Sequence, residues 1–383
     1  MTTRPRRIVF LGTHGQYNIG DELLLDTFLT QLGPENTYVV NSYDPDFTRR
    51  QVAGRFAVRV IDTARDRVAL LRALLGCDVL VFGGGSIIKE LYASTGRNPY
   101  STLLMILAIV TFTRRIARKP IAMLNVGVGP LLTPRGLKIA RMILRQVDQL
   151  TVRDERSLVT CRSVGIEPVL ATDAVFSASR ETLLGGGEVV RPDGDGPLRV
   201  ALSLNFDIEN PDSWEGFLSS LAEALEAVHR VRPIELHALP MQAGFKAHDD
   251  AEVLEEFAAR VPSIPMVRHE LPLHSDAARL IAGCDLLVAE RLHAIVMASI
   301  LGVPSFVLSY DVKVRELAAI LGIEEWSVDI NEPFDGTEVG DRIVRLIGQR
   351  EDVAAGLLAR SAELGAAAQS NFAAAREWVA TAR

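Results

Sequence analysis

Cysteine is scarce and scattered: Cys77, Cys161 and Cys284 are the three in the chain, and two of them stand just before apolar runs. Such spacing offers neither a disulfide framework nor a thiolate cluster, and it reads as reduced, buried thiols in a cytosolic protein. A long hydrophobic run is also missing. The most apolar stretch, residues 103–110 followed by Thr111 and Phe112, falls well short of the roughly 20 residues a membrane span needs. The opening MTTRPRRIVFLG carries too brief an apolar run for a signal-peptide core, so export is not expected. There is no basic excess either. A net charge of −7 argues against nucleic acid as the main partner, so any anion site must be local. No zinc or haem pattern and no G-x-S-x-G is found, and the glycines after the first strand lack the G-x-G-x-x-G spacing of a dinucleotide site. Asp44-Pro45-Asp46 has the look of a metal-binding pair, but proline between two aspartates is first of all a turn.

What is present is rhythm. Strand-like runs at 7–12, 38–41, 58–62, 79–82, 121–126 and 150–153 alternate with helical patterns, which means a mostly parallel sheet covered on both faces. A run rich in glycine, proline and aspartate interrupts it, and the alternation restarts at 198–204 and continues through 234–238, 266–269, 286–289 and 305–309. The expected organisation is an α/β domain over residues 1–180, a linker at 181–197, a second α/β domain over 198–349 and an alanine-rich helical tail at 350–383. Residues 70–88, LLRALLGCDVLVFGGGSII, align without gaps on residues 277–295, AARLIAGCDLLVAERLHAI. The match suggests two similar doubly wound folds facing each other, one lending bare backbone and the other side chains.

The most informative stretch is residues 284–310, where an apolar strand runs into Glu290-Arg291-Leu292-His293 and a helix follows at once. Strand carboxyl ends beside helix N-termini are where open α/β sheets bind ligands. The helix terminus favours an anion, and Arg291 adds a forked cation suited to phosphate or carboxylate. His293 lies one turn from Glu290, near enough for the carboxylate to orient or bias the imidazole. Tyr310-Asp311-Val312-Lys313 brings a second cation after the next strand. In the first half, Asn18, Gly20 and Asp21 follow strand one, with Asp21 read as an N-cap or a base. Gly83-Gly84-Gly85-Ser86 permits close backbone approach to a substrate, although tight packing would require the same glycines. Arg153 either aims at the ligand or forms a surface ion pair, and Asp154 reads as an N-cap. The histidines at 229, 237, 248, 269 and 274 lack ligand spacing and are taken as surface or packing residues. Arg97, Arg114, Arg115, Arg118 and Lys119 flank the apolar 103–112 stretch, either as the solvated ends of a core helix or as a peripheral contact with an anionic membrane surface.

Taken together, Asn18-x-Gly20-Asp21-Glu22, Val81-Phe82-Gly83-Gly84-Gly85, Val152-Arg153-Asp154-Glu155-x-Ser157 and Glu290-Arg291-Leu292-His293-Ala294, then Gly302-Val303-Pro304 and Tyr310-Asp311-x-Lys313, resemble the polysaccharide pyruvyl transferase family. The resemblance spans about residues 7–325 and is poorest from about 180 to 261. It implies a GT-B-like pair of Rossmann-like domains across a cleft, and transfer of pyruvate from phosphoenolpyruvate onto two hydroxyls of a sugar as a ketal. Under it, His293, Asp21 and Glu290 are expected as acid, base and orienter. Arg291 and Leu292, with Lys313, Arg153, Asn18, Gly20, Gly83, Gly84 and Gly85, are expected to bind substrate. Phosphoenolpyruvate would be held mainly by the second domain and the glycan acceptor, free or lipid-linked, by the first. No metal or organic cofactor is expected. A nucleotide-sugar glycosyltransferase and a non-catalytic sugar- or phosphate-binding protein remain as alternatives.

Overall fold

The computed structural model describes residues 4–91, 98–190, 196–206, 213–244 and 248–382. Arg97 and the 191–195 part of the expected linker lie outside the described residues. The chain divides into two units: residues 1–16, 21–177 and 365–383 form one, and residues 17–20 and 178–364 the other. The tetrapeptide Tyr17–Gly20 therefore groups with the second unit although its neighbours on both sides belong to the first.

The first unit runs β1 (Arg7–Leu11), α1 (Ile19–Leu32), β2 (Thr37–Ser42), α2 (Pro45–Val52), β3 (Ala57–Asp62), α3 (Arg67–Gly76) and β4 (Val79–Gly83). It continues with α4 (Ser101–Phe112), β5 (Ile121–Val126), α5 (Pro134–Leu144), β6 (Gln149–Val152), α6 (Glu155–Ser163) and β7 (Val169–Leu170). Its strands form one parallel sheet in the order β3-β2-β1-β4-β5-β6-β7. Val9, Leu80, Phe82 and Met123 on one sheet face meet Leu74, Leu103, Ile106, Ile143 and Leu158 from α3, α4, α5 and α6. The other face carries Phe10, which meets Phe28 of α1. β4 is buried along its whole length because both faces are covered, which is why it reads as a continuous apolar run.

The second unit opens with α7 (Arg180–Leu184), then β8 (Leu198–Ser203), α8 (Trp214–Val231), β9 (Ile234–Ala238), α9 (Asp250–Arg260) and β10 (Met266–Val267). After these come α10 (His274–Ala282), β11 (Leu286–Ala289), α11 (Leu292–Leu301), β12 (Ser305–Ser309), α12 (Val312–Leu321), β13 (Ser327–Asp329) and α13 (Gly336–Gly348). Its parallel sheet has the order β10-β9-β8-β11-β12-β13, the same winding as the first six strands of the other sheet. The final helix, α14 (Arg350–Thr381), gives its first half to the second unit and its last part to the first. Two doubly wound α/β units with a helical tail are thus what the alternation predicted.

The start of the expected linker is structured. Ser179 caps α7, Leu183 is fully buried, and Arg279 donates to the Leu184 carbonyl at 2.6 Å, so residues 180–184 pack on the second unit. The internal echo reaches hydrogen bonds. Asp78, before β4, accepts the Arg7 N–H at 2.9 Å and returns its own N–H to the Arg7 carbonyl at 2.8 Å. Asp285, before β11, does the same with Arg199 at 2.9 and 2.8 Å.

Candidate active site

In each sheet the strand order reverses direction between two central strands, β1 and β4 in one and β8 and β11 in the other. Ligands of open α/β sheets bind at the carboxyl ends of such strands, where the connecting loops part. The four motifs singled out in the sequence follow β1, β4, β6 and β11, and three of them flank these reversal points.

In the second unit, β11 ends at Ala289 and α11 begins at Leu292, with Arg291 as its N-cap residue. Glu290 is fully buried and accepts a hydrogen bond from Asn205 Nδ2, at the end of neighbouring β8, at 2.8 Å. Arg291 is gripped by the first residue of α9 and by the loop that leads from β9 to it. Its Nε donates to Asp250 Oδ2 at 2.9 Å, its Nη2 to Asp250 Oδ1, and Nη2 also reaches Gln242 Oε1 at 3.5 Å. Asp250 in turn accepts the N–H groups of Met241 and Gln242, each at 3.0 Å. Burial pushes the Asp250 carboxyl above its ordinary pKa, and the Arg291 charge and these donors oppose that rise. Lys313 is half-buried in the first turn of α12, which Asp311 caps by accepting the Val314 N–H at 3.0 Å.

The Tyr17–Gly20 segment docks on the same loop. Ile19 N–H donates to the Met241 carbonyl at 2.8 Å, Asn18 pairs with Gln242 as an antiparallel bridge, and Asn18 Oδ1 accepts the Gly20 N–H at 2.9 Å. The turn brings Gly20 against His293: a Cβ at position 20 would lie 2.2 Å from His293 Nδ1 and 3.0 Å from its Cγ. No side chain fits there while the imidazole keeps its place. Asn18, Gly20, Arg291 and His293 therefore converge within one unit, with Leu292 half-buried between the last two. Asp21 belongs to the first unit and is not a cap, because α1 starts at Ile19 and puts it in the first turn.

In the first unit, packing accounts for one of the three glycines. A Cβ on Gly83 would lie 2.2 Å from the Phe10 ring. Gly84 and Gly85 have φ of 66° and 69°, a left-handed backbone that favours glycine. Arg153 points to this loop, where Nη2 donates to Ser86 Oγ at 3.3 Å, and it lies 3.7 Å from Asp154 and 3.9 Å from Asp173. Asp154 caps α6 by accepting the Ser157 N–H, as its position suggested, and Asp44 likewise caps α2.

Two buried groups after β1, His14 in the loop and Glu22 in α1, were given no role by the sequence reading. His14 is buried and stacked on Phe10, and burial lowers its pKa to about 3. Glu22 accepts the Gly15 N–H at 2.6 Å, yet burial, with the nearby Asp21 charge, pushes its carboxyl up to about 8. From pH 4.5 to about 8 the folded chain keeps a proton on Glu22 that the unfolded chain has lost, so stability falls as pH rises. His14 has the opposite sign: its folded pKa lies below 6.5, so its contribution is complete above that pH. Between pH 6.5 and 8, Glu22 is thus expected to cost at most about 2 kcal/mol. Denaturant unfolding at the two ends of that range should show the loss in the native chain and a flatter response in Glu22→Gln. Equal responses would assign the proton to another group.

Asp250, Gln242 and Asn205 were also missed. Asn205 had a signal, a polar residue at the carboxyl end of an apolar strand, whereas Asp250 opens a helix 41 residues from the arginine it holds.

Comparison with known proteins fits this geometry. The fold is that of the GT-B-like sugar enzymes. A glycosyltransferase from Rickettsia africae ESF-5 superposes with TM-score 0.61 at 9% identity, covering 99% of each chain. The UDP-GlcNAc 2-epimerase from Neisseria meningitidis, solved bound to UDP-GlcNAc, gives 0.57 at 10% identity over 93% of this chain and 98% of that one. Among curated sequences, the amylovoran biosynthesis protein AmsJ of Erwinia amylovora is 23% identical over 275 residues, 68% of this chain and 63% of that protein's length. The model of the polysaccharide pyruvyl transferase family matches residues 18–312, which start at the Asn18 turn and take in the His293 elbow. By that match the chain belongs to the polysaccharide pyruvyl transferase family.

Proposed function

We propose that the chain transfers a pyruvyl group from phosphoenolpyruvate to a sugar of a cell-surface polysaccharide or its precursor, forming a ketal and releasing phosphate. The observation that carries this reading is the seating of the Asn18–Gly20 turn against His293, beside the Arg291–Asp250 pair, in a member of this family.

Ketal formation from an enol phosphate needs three things of the protein. The donor is a small polyanion, and Arg291 holds its carboxylate or phosphate with help from Lys313 or Arg153. Its methylene must gain a proton to become the methyl group, and His293 delivers it. That step leaves cationic character at the adjacent carbon, which the first sugar hydroxyl attacks as Asp21 takes its proton. The C–O bond to phosphate then breaks, the second hydroxyl closes the ring, and its proton leaves with phosphate or solvent. Glu290 orients the imidazole. The scheme requires no metal and no organic cofactor.

A second reading has its own support. The similar folds include a glycosyltransferase and an epimerase solved with UDP-GlcNAc, and an arginine beside a helix N-terminus also suits a nucleotide diphosphate. Incubating the protein with glycan acceptors and either donor separates the two. Inorganic phosphate released from phosphoenolpyruvate in an acceptor-dependent manner supports ketal transfer. Nucleotide released from a sugar donor, with phosphoenolpyruvate untouched, replaces it, and no turnover of either leaves a binding protein.

A further inference from the structure

We propose that the outer face of α3 and α4, with the π-helical turn Thr113–Ala117 that continues α4, docks on an anionic phospholipid bilayer. Val68, Leu71 and Leu75 form one exposed stripe along α3, Leu104 and Met105 are exposed on α4, and Ile116 is 64% exposed. α4 runs directly into the 113–117 turn and α3 packs on that turn, so the three pieces make one surface of the first unit. Apolar exposure on this scale needs an occupant, and the charge around it says which.

Residues 91–147 hold nine Lys and Arg and no Asp or Glu, within a chain whose net charge is −7. Arg72, Arg115, Arg118, Lys138 and Arg145 are all exposed, and Arg115 and Arg118 bracket Ile116. Some of the charge is met locally, since Arg114 pairs with Asp148 and Asp66 precedes Arg67. The remainder is a cationic rim around apolar side chains, the arrangement that inserts at a headgroup boundary while guanidinium groups reach phosphates. A second copy of this chain would present the same positive rim and be repelled. No helix among the described residues is long and apolar enough to cross a membrane, so the contact is peripheral.

The test is co-sedimentation of the full chain with phosphatidylcholine vesicles, with and without phosphatidylglycerol. Binding is expected to the mixed vesicles alone and to weaken with salt. Each basic residue removed should lower affinity about fivefold, so the pair Arg115→Ala, Arg118→Ala costs on the order of 25-fold. Leu104→Asp with Ile116→Asp should abolish binding; all four side chains are exposed, so the core is left intact, and unchanged circular dichroism confirms folding. Absence of native binding, or equal binding to neutral vesicles, overturns the proposal. So does a dimer in sedimentation velocity that the two aspartates dissolve.

Discussion

His293→Ala is expected to lower phosphate release from phosphoenolpyruvate by about 10² to 10⁴, the usual worth of a positioned general acid, while leaving the denaturant midpoint close to native. A half-buried histidine at the first turn of α11 contributes little packing compared with the wholly buried Ala294 to Ser299 that follow it. The sharper test is Gly20→Ala, which replaces no titratable group. Its Cβ would lie 2.2 Å from His293 Nδ1, so the ring must move. Displacement of a catalytic group by about 1 Å costs around 10² in rate. A loss of kcat in Gly20→Ala with donor KM nearly unchanged would mark His293 as the proton donor held by this turn. Native turnover in both variants would place the chemistry elsewhere.

The second large effect concerns Asp250. Breaking a buried ion pair from one side strands the other charge and typically costs about 3–5 kcal/mol. Asp250→Ala would also leave the Met241 and Gln242 N–H groups without the carboxylate they now bond, and the Met241 carbonyl is what holds the Ile19 N–H. We expect a marked stability loss in Asp250→Ala and in Arg291→Ala, and a double variant that is less destabilised than the two losses added together. Denaturant unfolding of all three, arranged as a double-mutant cycle, measures the coupling. Additive losses would mean the pair is not a unit. Because Arg291 is part of this pair, its alanine variant confounds folding with donor binding. Asp250→Asn keeps the shape, and its expected signature is a rise in the KM for phosphoenolpyruvate larger than any fall in kcat.

The fold was legible because burial writes itself locally. β4, β11 and β12 are buried on every residue, so each shows as an apolar run, shortened in β12 to Phe306–Leu308 between two buried serines, with helical patterns on both sides. The Glu290–His293 elbow was legible for the same reason, being a polar cluster at the junction of two such elements. The Asn18–Gly20 motif was visible as a motif but not as a partner of His293. Sequence order assigns it to the first unit, and only the hydrogen bonds to Met241 and Gln242 carry it to the second. Asp250 gave no signal, because an aspartate at a helix start is ordinary punctuation until the fold brings an arginine to it. Of the two readings of Asp21, the cap fails because the helix takes in Ile19 and Gly20 from the docked turn. The burial that moves the pKa of Glu22 and of His14 in opposite directions is likewise a property of the packed loop.

The central claim is that His293 passes a proton to the donor's methylene while a sugar captures the adjacent carbon. Mass spectrometry of a glycan product formed from phosphoenolpyruvate in heavy water tests it most directly. The account predicts a pyruvate ketal whose methyl group carries one solvent deuterium, formed by the native chain and not by His293→Ala. A product enlarged instead by a sugar from a nucleotide donor, or a ketal without solvent deuterium, would contradict it.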